Sequence, residues 1–214
     1  MSAALDRFMH ISPVVPVVMI EDVDHAVPLA RTLIEGGVAV IEVTLRSDAA
    51  LASIAAIARD VPTIALAVGT VLNAQQLQSA KDAGATLAIS PGIDRDLIEA
   101  AARIGMPLLP GVASASELML GLNAGLTRFK LFPATAINGL ELAKAFAGPF
   151  PQARFCPTGG ISLEAAPSYL AQPNILCIGA SWLASAADIR GARWDSIRAH
   201  ARSASMLGKT QPQS

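Results

Sequence analysis

Short apolar segments alternate with longer segments of helical periodicity along most of the chain. The apolar segments are rich in Val, Ile, Leu and Ala, which is typical of strands buried in a parallel sheet. Eight strands are predicted, at residues 14–19, 39–45, 63–69, 87–90, 107–110, 128–132, 154–157 and 175–178. Helices are predicted at residues 24–35, 48–59, 74–83, 94–103, 114–123, 140–146, 163–170 and 182–187, with an added C-terminal helix at 194–205.

The number of these units predicts the fold. Eight strand–helix units are what a closed parallel (β/α)8 TIM barrel needs, and 214 residues suit one such barrel. A doubly wound open sheet also alternates strands and helices, but it would rarely need eight strands in so few residues. No Pro- or Ser-rich linker divides the chain, so residues 1–214 are predicted to form a single α/β barrel domain with the added C-terminal helix.

The composition narrows the range of partners. The chain is 52% hydrophobic and only 15% charged, against about a quarter in typical domains, which suggests that another subunit covers part of the surface. A net charge of −1 and the lack of Lys/Arg clusters argue against nucleic acid or an anionic membrane as a partner. No secretory signal or membrane-spanning segment is visible, so a cytoplasmic location is expected. Cys156 and Cys177 lie in separate strand-like segments and are predicted to be core residues.

Charged residues interrupt two of the predicted strands. In the second strand, alternation places Glu42, Thr44 and Arg46 on one face, and a barrel enzyme carries its site at the carboxyl ends of its strands. In the sixth strand, Lys130 shares a face with Arg128 and Phe132. A lysine among apolar neighbours can be uncharged at neutral pH, and a neutral amine attacks ketones. These residues therefore predict a nucleophilic amine, a proton-transfer carboxylate and a carboxylate-binding guanidinium.

Purely structural roles remain open for the same residues. Glu42 and Arg46 could form a buried ion pair that only fixes the barrel, although such pairs are poor stabilisers. Lys130 could equally form a salt bridge with Glu42 and have no covalent role.

Glycine-rich turns follow the seventh and eighth strands. Gly159 and Gly160 come after the seventh, and a small Gly/Ser turn ending at Ser181 opens the eighth helix, which is where this fold usually binds phosphate. Two tight turns that need glycine for positive φ would give the same pattern. The three histidines lie outside the strand ends and no Cys/His cluster has zinc spacing, so no metal site is predicted.

Five segments in this order closely resemble the 2-keto-3-deoxy-6-phosphogluconate (KDPG) aldolase and 4-hydroxy-2-oxoglutarate aldolase family. The resemblance extends over residues 14–182. The segments are Glu42-Val43-Thr44-Leu45-Arg46, Gly69-Thr70-Val71-Leu72, Ile89-Ser90-Pro91-Gly92, Phe129-Lys130-Leu131-Phe132-Pro133-Ala134 and Arg154-Phe155-Cys156-Pro157-Thr158-Gly159-Gly160. It implies a class I aldolase on a (β/α)8 barrel, assembled as a homotrimer, that needs no cofactor.

The resemblance also implies roles for ten residues. Lys130 would form the Schiff base and Glu42 would shuttle protons. The other eight would bind the substrate: Arg46 and Thr70 at its carboxylate end, Gly159, Gly160 and Ser181 at its phosphate, Thr158 nearby, and Pro91 and Phe132 along the pocket wall. The implied reaction is cleavage of 2-dehydro-3-deoxy-6-phosphogluconate to pyruvate and glyceraldehyde 3-phosphate in the Entner–Doudoroff pathway. A galactonate-configured substrate or 4-hydroxy-2-oxoglutarate could be used instead or as well.

The sequence departs from the common pattern of this family in places. Ala67 and Val68 precede Gly69 where small Ala/Gly pairs are usual. Ala180 stands where a second glycine is common, and Thr135 follows Pro133-Ala134 where glutamate is common. The turn expected to bind phosphate therefore matches the family pattern least.

Two other functions remain as alternatives. One is a metal-independent barrel isomerase or epimerase that acts on a phosphorylated sugar acid and uses Glu42 without a covalent step. The other is a catalytically silent protein that binds a phosphosugar, which the presence of both Lys130 and Glu42 disfavours.

Overall fold

The computed structural model describes residues 2–208, with the side chain of Ser2 left out, and its strands follow the predicted order. Nine strands are present: β1 Val14–Val18, β2 Val40–Thr44, β3 Ala65–Gly69, β4 Leu87–Ile89, β5 Leu108–Leu109, β6 Gly111–Val112, β7 Arg128–Leu131, β8 Arg154–Pro157 and β9 Ile178–Ala180. The predicted fifth strand, at residues 107–110, is therefore replaced by two short strands on either side of Pro110. Proline has no backbone N–H to donate to a neighbouring strand, which interrupts regular pairing there.

The last strand lies further along the chain than predicted. Residues 175–178 were expected to form it, but the paired segment is Ile178–Ala180, and Ile175 makes only an isolated parallel bridge with Phe155. Consequently Gly179 and Ala180 lie within the strand, and the turn that opens the next helix begins at Ser181.

Ten α-helices surround the strands in the described part of the chain. They are α1 Ser2–His10, α2 Ala26–Glu35, α3 Ala50–Asp60, α4 Ala74–Asp82, α5 Arg95–Ile104, α6 Ala115–Asn123, α7 Gly139–Ala147, α8 Ala166–Leu170, α9 Ala186–Arg190 and α10 Trp194–Ser205. The C-terminal helix has its predicted bounds. α1 was not predicted, and the helix expected at residues 182–187 is a 3-10 turn, Trp182–Ala184, followed by α9.

Side-chain caps explain where several helices begin. Asn73, Asp94 and Ser114 each accept a hydrogen bond from the backbone N–H three residues ahead, before α4, α5 and α6 respectively. Gly105 ends α5 in the left-handed conformation, with φ of 68°. These caps begin α4, α5 and α6 no more than about five residues after the strand before each, so the loops at these three strand ends are short.

All strand pairs are parallel, in two curled sheets. One has six strands in the order β5-β4-β3-β2-β1-β9, and the other has three in the order β6-β7-β8. β1 to β5 pair in sequence order, as do β6 to β8, whereas β9 pairs with β1. The protein is thus an α/β fold with a half-barrel of parallel strands. The predicted closed barrel of eight strands is not shown, because hydrogen-bonded pairing does not continue from one sheet to the other.

The start of the chain packs at the amino ends of the strands. Arg128, at the beginning of β7, was predicted to share the face of Lys130, and its Nε lies 2.5 Å from Oδ1 of Asp6 in α1. This ion pair is only partly exposed and lies at the opposite end of β7 from Phe132. Arg128 therefore serves the packing of α1, away from the strand ends where function was expected.

Two further expectations concern the core and the membrane. Cys156 and Cys177 are free and buried, which confirms that they are core residues. In residues 2–208, no helix combines the length and the apolar character needed to cross a bilayer.

Candidate active site

A cavity of about 290 Å³ opens at the carboxyl ends of the strands. All ten residues predicted for the site line it: Glu42, Arg46, Thr70, Pro91, Lys130, Phe132, Thr158, Gly159, Gly160 and Ser181. They come from six different strands or the loops after them, so the fold brings together residues that are far apart in sequence. Five lining residues were not among the predicted ones: Val17, Thr44, Ile161, Gly179 and Ala180.

A buried ion pair forms the floor of this cavity. Lys130 Nζ lies 3.1 Å from Glu42 Oε1, and their side chains are only 7% and 2% exposed. The amine also lies 5.3 Å from the centroid of the Phe132 ring, within the range of a cation–π contact. Burying two charges is costly unless each has a partner, and here each supplies the other's. The expected pairing of Glu42 with Lys130 is confirmed, whereas a Glu42–Arg46 ion pair is not formed.

The neighbouring strand makes room for the carboxylate. Gly69 of β3 pairs with Thr44 of β2, next to Glu42. A Cβ atom at Gly69 would lie 2.7 Å from Cγ and 2.9 Å from Cδ of Glu42, closer than real Cβ contacts come. Only glycine therefore lets the Glu42 side chain reach Lys130 along this path. Gly179 does the same for Thr158, because a Cβ there would lie 2.8 Å from Cγ2 of that threonine.

The next residue, Thr70, has an unusual backbone. Its φ is 61°, in the left-handed region that a β-branched residue rarely adopts. Such strain costs on the order of 1–3 kcal/mol and is concentrated at functional sites. Thr70 lines the cavity immediately after Gly69, so the strain lies at the site itself. No sequence signal predicts this conformation, because threonine disfavours it.

Arg46 lies at the mouth of the cavity. Its Nε donates a hydrogen bond to Thr44 Oγ1 at 3.2 Å. No acidic side chain lies within salt-bridge distance of its guanidinium in residues 2–208. The cavity thus holds a cation that has no counter-charge from the described part of the chain.

The loop after β8 is held by its carbonyl groups. Ala134 N–H donates to the Thr158 carbonyl at 2.8 Å, and Thr135 donates to the Gly159 carbonyl from both its N–H, at 3.0 Å, and its hydroxyl, at 2.8 Å. The N–H of a trans peptide points opposite to its carbonyl. The N–H groups of Gly159 and Gly160 therefore point away from Ala134 and Thr135. Both glycines have positive φ, 107° and 80°, as a tight turn requires.

A thiol pair lies beneath the ion pair. Cys156 is the register partner of Lys130 on the adjacent strand. A hydrogen bond with Cys156, together with burial, raises the pKa of the Cys177 thiol well above its usual value, and the nearby charge of Glu42 adds to this effect. Cys177 therefore stays a neutral thiol under ordinary conditions, which suits a packing role below the site.

Comparison with known proteins agrees with this arrangement. The family described as KDPG and KHG aldolase matches residues 5–200. The chain is 52% identical over 192 residues to 2-dehydro-3-deoxy-phosphogluconate aldolase of Pseudoalteromonas atlantica, covering 90% of this chain and 89% of that protein. It is 50% identical over 192 residues to the KHG/KDPG aldolase of Escherichia coli K12, covering 90% of each.

Solved structures give the same result. The KDPG aldolase of Legionella pneumophila, with pyruvate captured as a covalent carbinolamine intermediate, superimposes with a TM-score of 0.92 at 41% identity, covering 94% of this chain and 97% of that one. The 2-keto-3-deoxy-6-phosphogluconate aldolase of Zymomonas mobilis ZM4 with 3-phosphoglycerate gives a TM-score of 0.89 at 46% identity, covering 95% of both chains. The likeness in sequence and in structure extends over nearly the whole chain, which therefore belongs to the KDPG and KHG aldolase family.

Proposed function

We propose that this protein is a class I aldolase that cleaves 2-dehydro-3-deoxy-6-phosphogluconate to pyruvate and glyceraldehyde 3-phosphate, and that also cleaves 4-hydroxy-2-oxoglutarate to pyruvate and glyoxylate. The observation that carries the proposal is the buried contact of 3.1 Å between Lys130 Nζ and Glu42 Oε1 in the cavity. An amine with a proton acceptor at hydrogen-bond distance is what imine formation needs. Family membership and the covalent pyruvate adduct of the Legionella relative support the same reaction.

The covalent steps follow from this pair. Glu42 takes a proton from the Lys130 amine, which then attacks the C2 ketone of the substrate. Glu42 returns its proton to the departing hydroxyl, and loss of water gives a protonated imine next to C3. Glu42, again a carboxylate, then takes the proton of the C4 hydroxyl as the C3–C4 bond breaks, which releases glyceraldehyde 3-phosphate and leaves the enamine of pyruvate. Glu42, directly or through a water, protonates the methylene carbon of the enamine, and hydrolysis of the imine frees pyruvate and Lys130.

The remaining cavity residues would bind the two ends of the substrate. In this proposal Arg46 and Thr70 hold the carboxylate, which supplies the counter-charge that Arg46 otherwise lacks. Gly159, Gly160 and Ser181 bind the phosphate, in line with loop N–H groups that point away from Thr135. The other three lie between the two ends: Thr158 near the phosphate loop, with Pro91 and Phe132 forming the wall.

Reductive trapping tests the covalent step. Pyruvate with borohydride should inactivate the enzyme and add to the peptide that contains Lys130, as mass spectrometry would show. Lys130→Ala should be inert to the treatment, whereas Lys144→Ala, which changes a lysine paired with Glu141 on α7, should be trapped like wild type. An unmodified wild-type protein would exclude the imine. It would leave the isomerase or epimerase alternative, which the relatives do not favour.

Proton exchange tests Glu42 separately. Deuterium from solvent should enter the pyruvate methyl group in wild type, because the enamine is protonated from the carboxylate. Glu42→Gln should slow this exchange by about 100-fold or more, in the range usual for acid–base groups, while leaving trapping at Lys130 possible. An exchange rate equal to that of wild type would remove Glu42 from its role.

We also propose that the two sheets form one closed (β/α)8 barrel and that residues 1–214 make a single domain. Two isolated parallel bridges, Phe155 with Ile175 and Thr158 with Gly179, support closure between β8 and the segment of β9. On the other side, only Pro110 separates β5 from β6. The homotrimer and the cytoplasmic location stay predictions. Light scattering would test the trimer, with a mass three times that of the chain as the expected result.

A further inference from the structure

Thr44 links the backbone of β1 to the guanidinium at the mouth of the cavity. Its side chain is buried, and its hydroxyl donates a hydrogen bond to the Val18 carbonyl at 2.8 Å. The same oxygen accepts a hydrogen bond from Arg46 Nε at 3.2 Å. A hydroxyl has a single proton, so donation to Val18 leaves its lone pairs for Arg46. The direction of this two-bond relay is therefore fixed.

The relay determines which guanidinium donors stay available. With Nε bound to Thr44, the two terminal nitrogens of Arg46 remain. These two nitrogens can bind both oxygens of one carboxylate, and binding of this kind depends on the orientation of the guanidinium plane. Arg46 lies two residues beyond the end of β2 and is exposed, so its own packing does little to hold that plane. The buried hydroxyl two residues earlier is a fixed point.

We infer that Thr44 is a positioning residue, which aims Arg46 at the carboxylate of the 2-oxo acid. The inference rests on the proposed function, because it takes the oxo acid as the ligand. The inference goes beyond that function, because it makes the affinity for the pyruvate part of the substrate depend on Thr44, which does not need to touch the substrate. Thr44 would act on binding of the carboxylate and leave binding of the phosphate unchanged.

Kinetics of the condensation reaction separate the two ends. Thr44→Val keeps the shape of the side chain but can neither donate nor accept a hydrogen bond. We expect the KM for pyruvate to rise roughly 3- to 10-fold, the worth of one net hydrogen bond, while the KM for glyceraldehyde 3-phosphate stays at its wild-type value. The pyruvate concentration that gives half-maximal borohydride inactivation should rise by the same factor. Thr44→Ser, which keeps the hydroxyl, should restore both values.

A matched control variant accompanies these measurements, and any one of three outcomes would overturn the inference. Thr63→Val, at an exposed threonine outside the cavity, should leave both KM values unchanged. The inference is overturned if Thr44→Val keeps the wild-type KM for pyruvate, if it raises both KM values equally, or if the serine variant behaves like the valine variant. Failure of the proposed function looks different, because wild type itself would then release no pyruvate and would not be trapped.

Discussion

Replacing Gly69 by alanine should disable the site more than it disturbs the fold. The backbone of Gly69 does not have positive φ, so alanine is conformationally acceptable there. The added Cβ would lie 2.7 Å from Cγ and 2.9 Å from Cδ of Glu42, so the carboxylate has to move. Overpacking a buried site costs about 1–3 kcal/mol, which for a chain of this length lowers the melting temperature by about 2 to 12 °C.

The effect on catalysis should be larger. Displacing a catalytic group by about 1 Å can cost on the order of 100-fold in rate, and Glu42 must leave its position 3.1 Å from Lys130 Nζ. We therefore expect the kcat of Gly69→Ala to fall about 100-fold in an assay of pyruvate release, with an equal fall in deuterium exchange into pyruvate. Trapping with borohydride should still label Lys130, though more slowly.

The chain offers a matched control for this substitution. Gly148, at the end of α7, also lacks positive φ, and a Cβ added there would meet no atom within 4 Å. Gly148→Ala should therefore keep the wild-type kcat and melting temperature. If Gly69→Ala turned over and exchanged protons at the wild-type rate, the view that glycine at this position places the Glu42 carboxylate would be refuted.

Two further predictions concern the loop after β8, which is proposed to bind phosphate, and the dependence of stability on acid pH. Thr135→Val, which removes the hydroxyl bonded to the Gly159 carbonyl, should raise the KM for the phosphorylated substrate about 3-fold, with half-saturation by pyruvate unchanged. Hydrogen bonds from Ser185 and then Arg193 lower the pKa of Asp188, so the stability that this carboxylate contributes is present above about pH 4 and is lost as the pH falls through the lowered pKa. Asp188→Asn should therefore melt below wild type at pH 7, with about 1 kcal/mol less stability, and the difference should shrink at pH 3.

Two rules indicate from the sequence where the cavity lies, whereas the roles of Thr70, Pro91, Thr158 and Phe132 rest on the family resemblance. Alternation groups Glu42 with Arg46 and Lys130 with Phe132, and the barrel rule places such polar residues at the carboxyl ends of the strands. Neither rule uses the distance between the strands. That distance, and the glycine at position 69 that permits it, come only from the three-dimensional packing.

The prediction misplaced β9 and missed α1 for a related reason. Residues 174–180 are almost uniformly apolar, as in a strand buried on both faces, so periodicity could not locate β9 within the segment. The short helix α1 carries charged residues, as a surface segment does, and its position depends on burial of Leu5, Phe8 and Met9 in the core together with the ion pair between Asp6 and Arg128, 122 residues apart. The positive φ of Thr70 is opposed by its own residue type, so only its surroundings can impose it.

The energetics of the buried ion pair support a catalytic purpose. Removing one partner of such a pair leaves an uncompensated charge and costs about 3–5 kcal/mol, whereas replacing both by apolar residues is often neutral or stabilising. Lys130 and Glu42, at 7% and 2% exposure, are thus a poor solution for stability alone. In the empty cavity they neutralise each other, and Arg46 remains as one excess positive charge. In the proposed reaction, the carboxylate of the 2-oxo acid balances that charge, so the pair can exchange its proton during imine formation without leaving a net charge in the cavity.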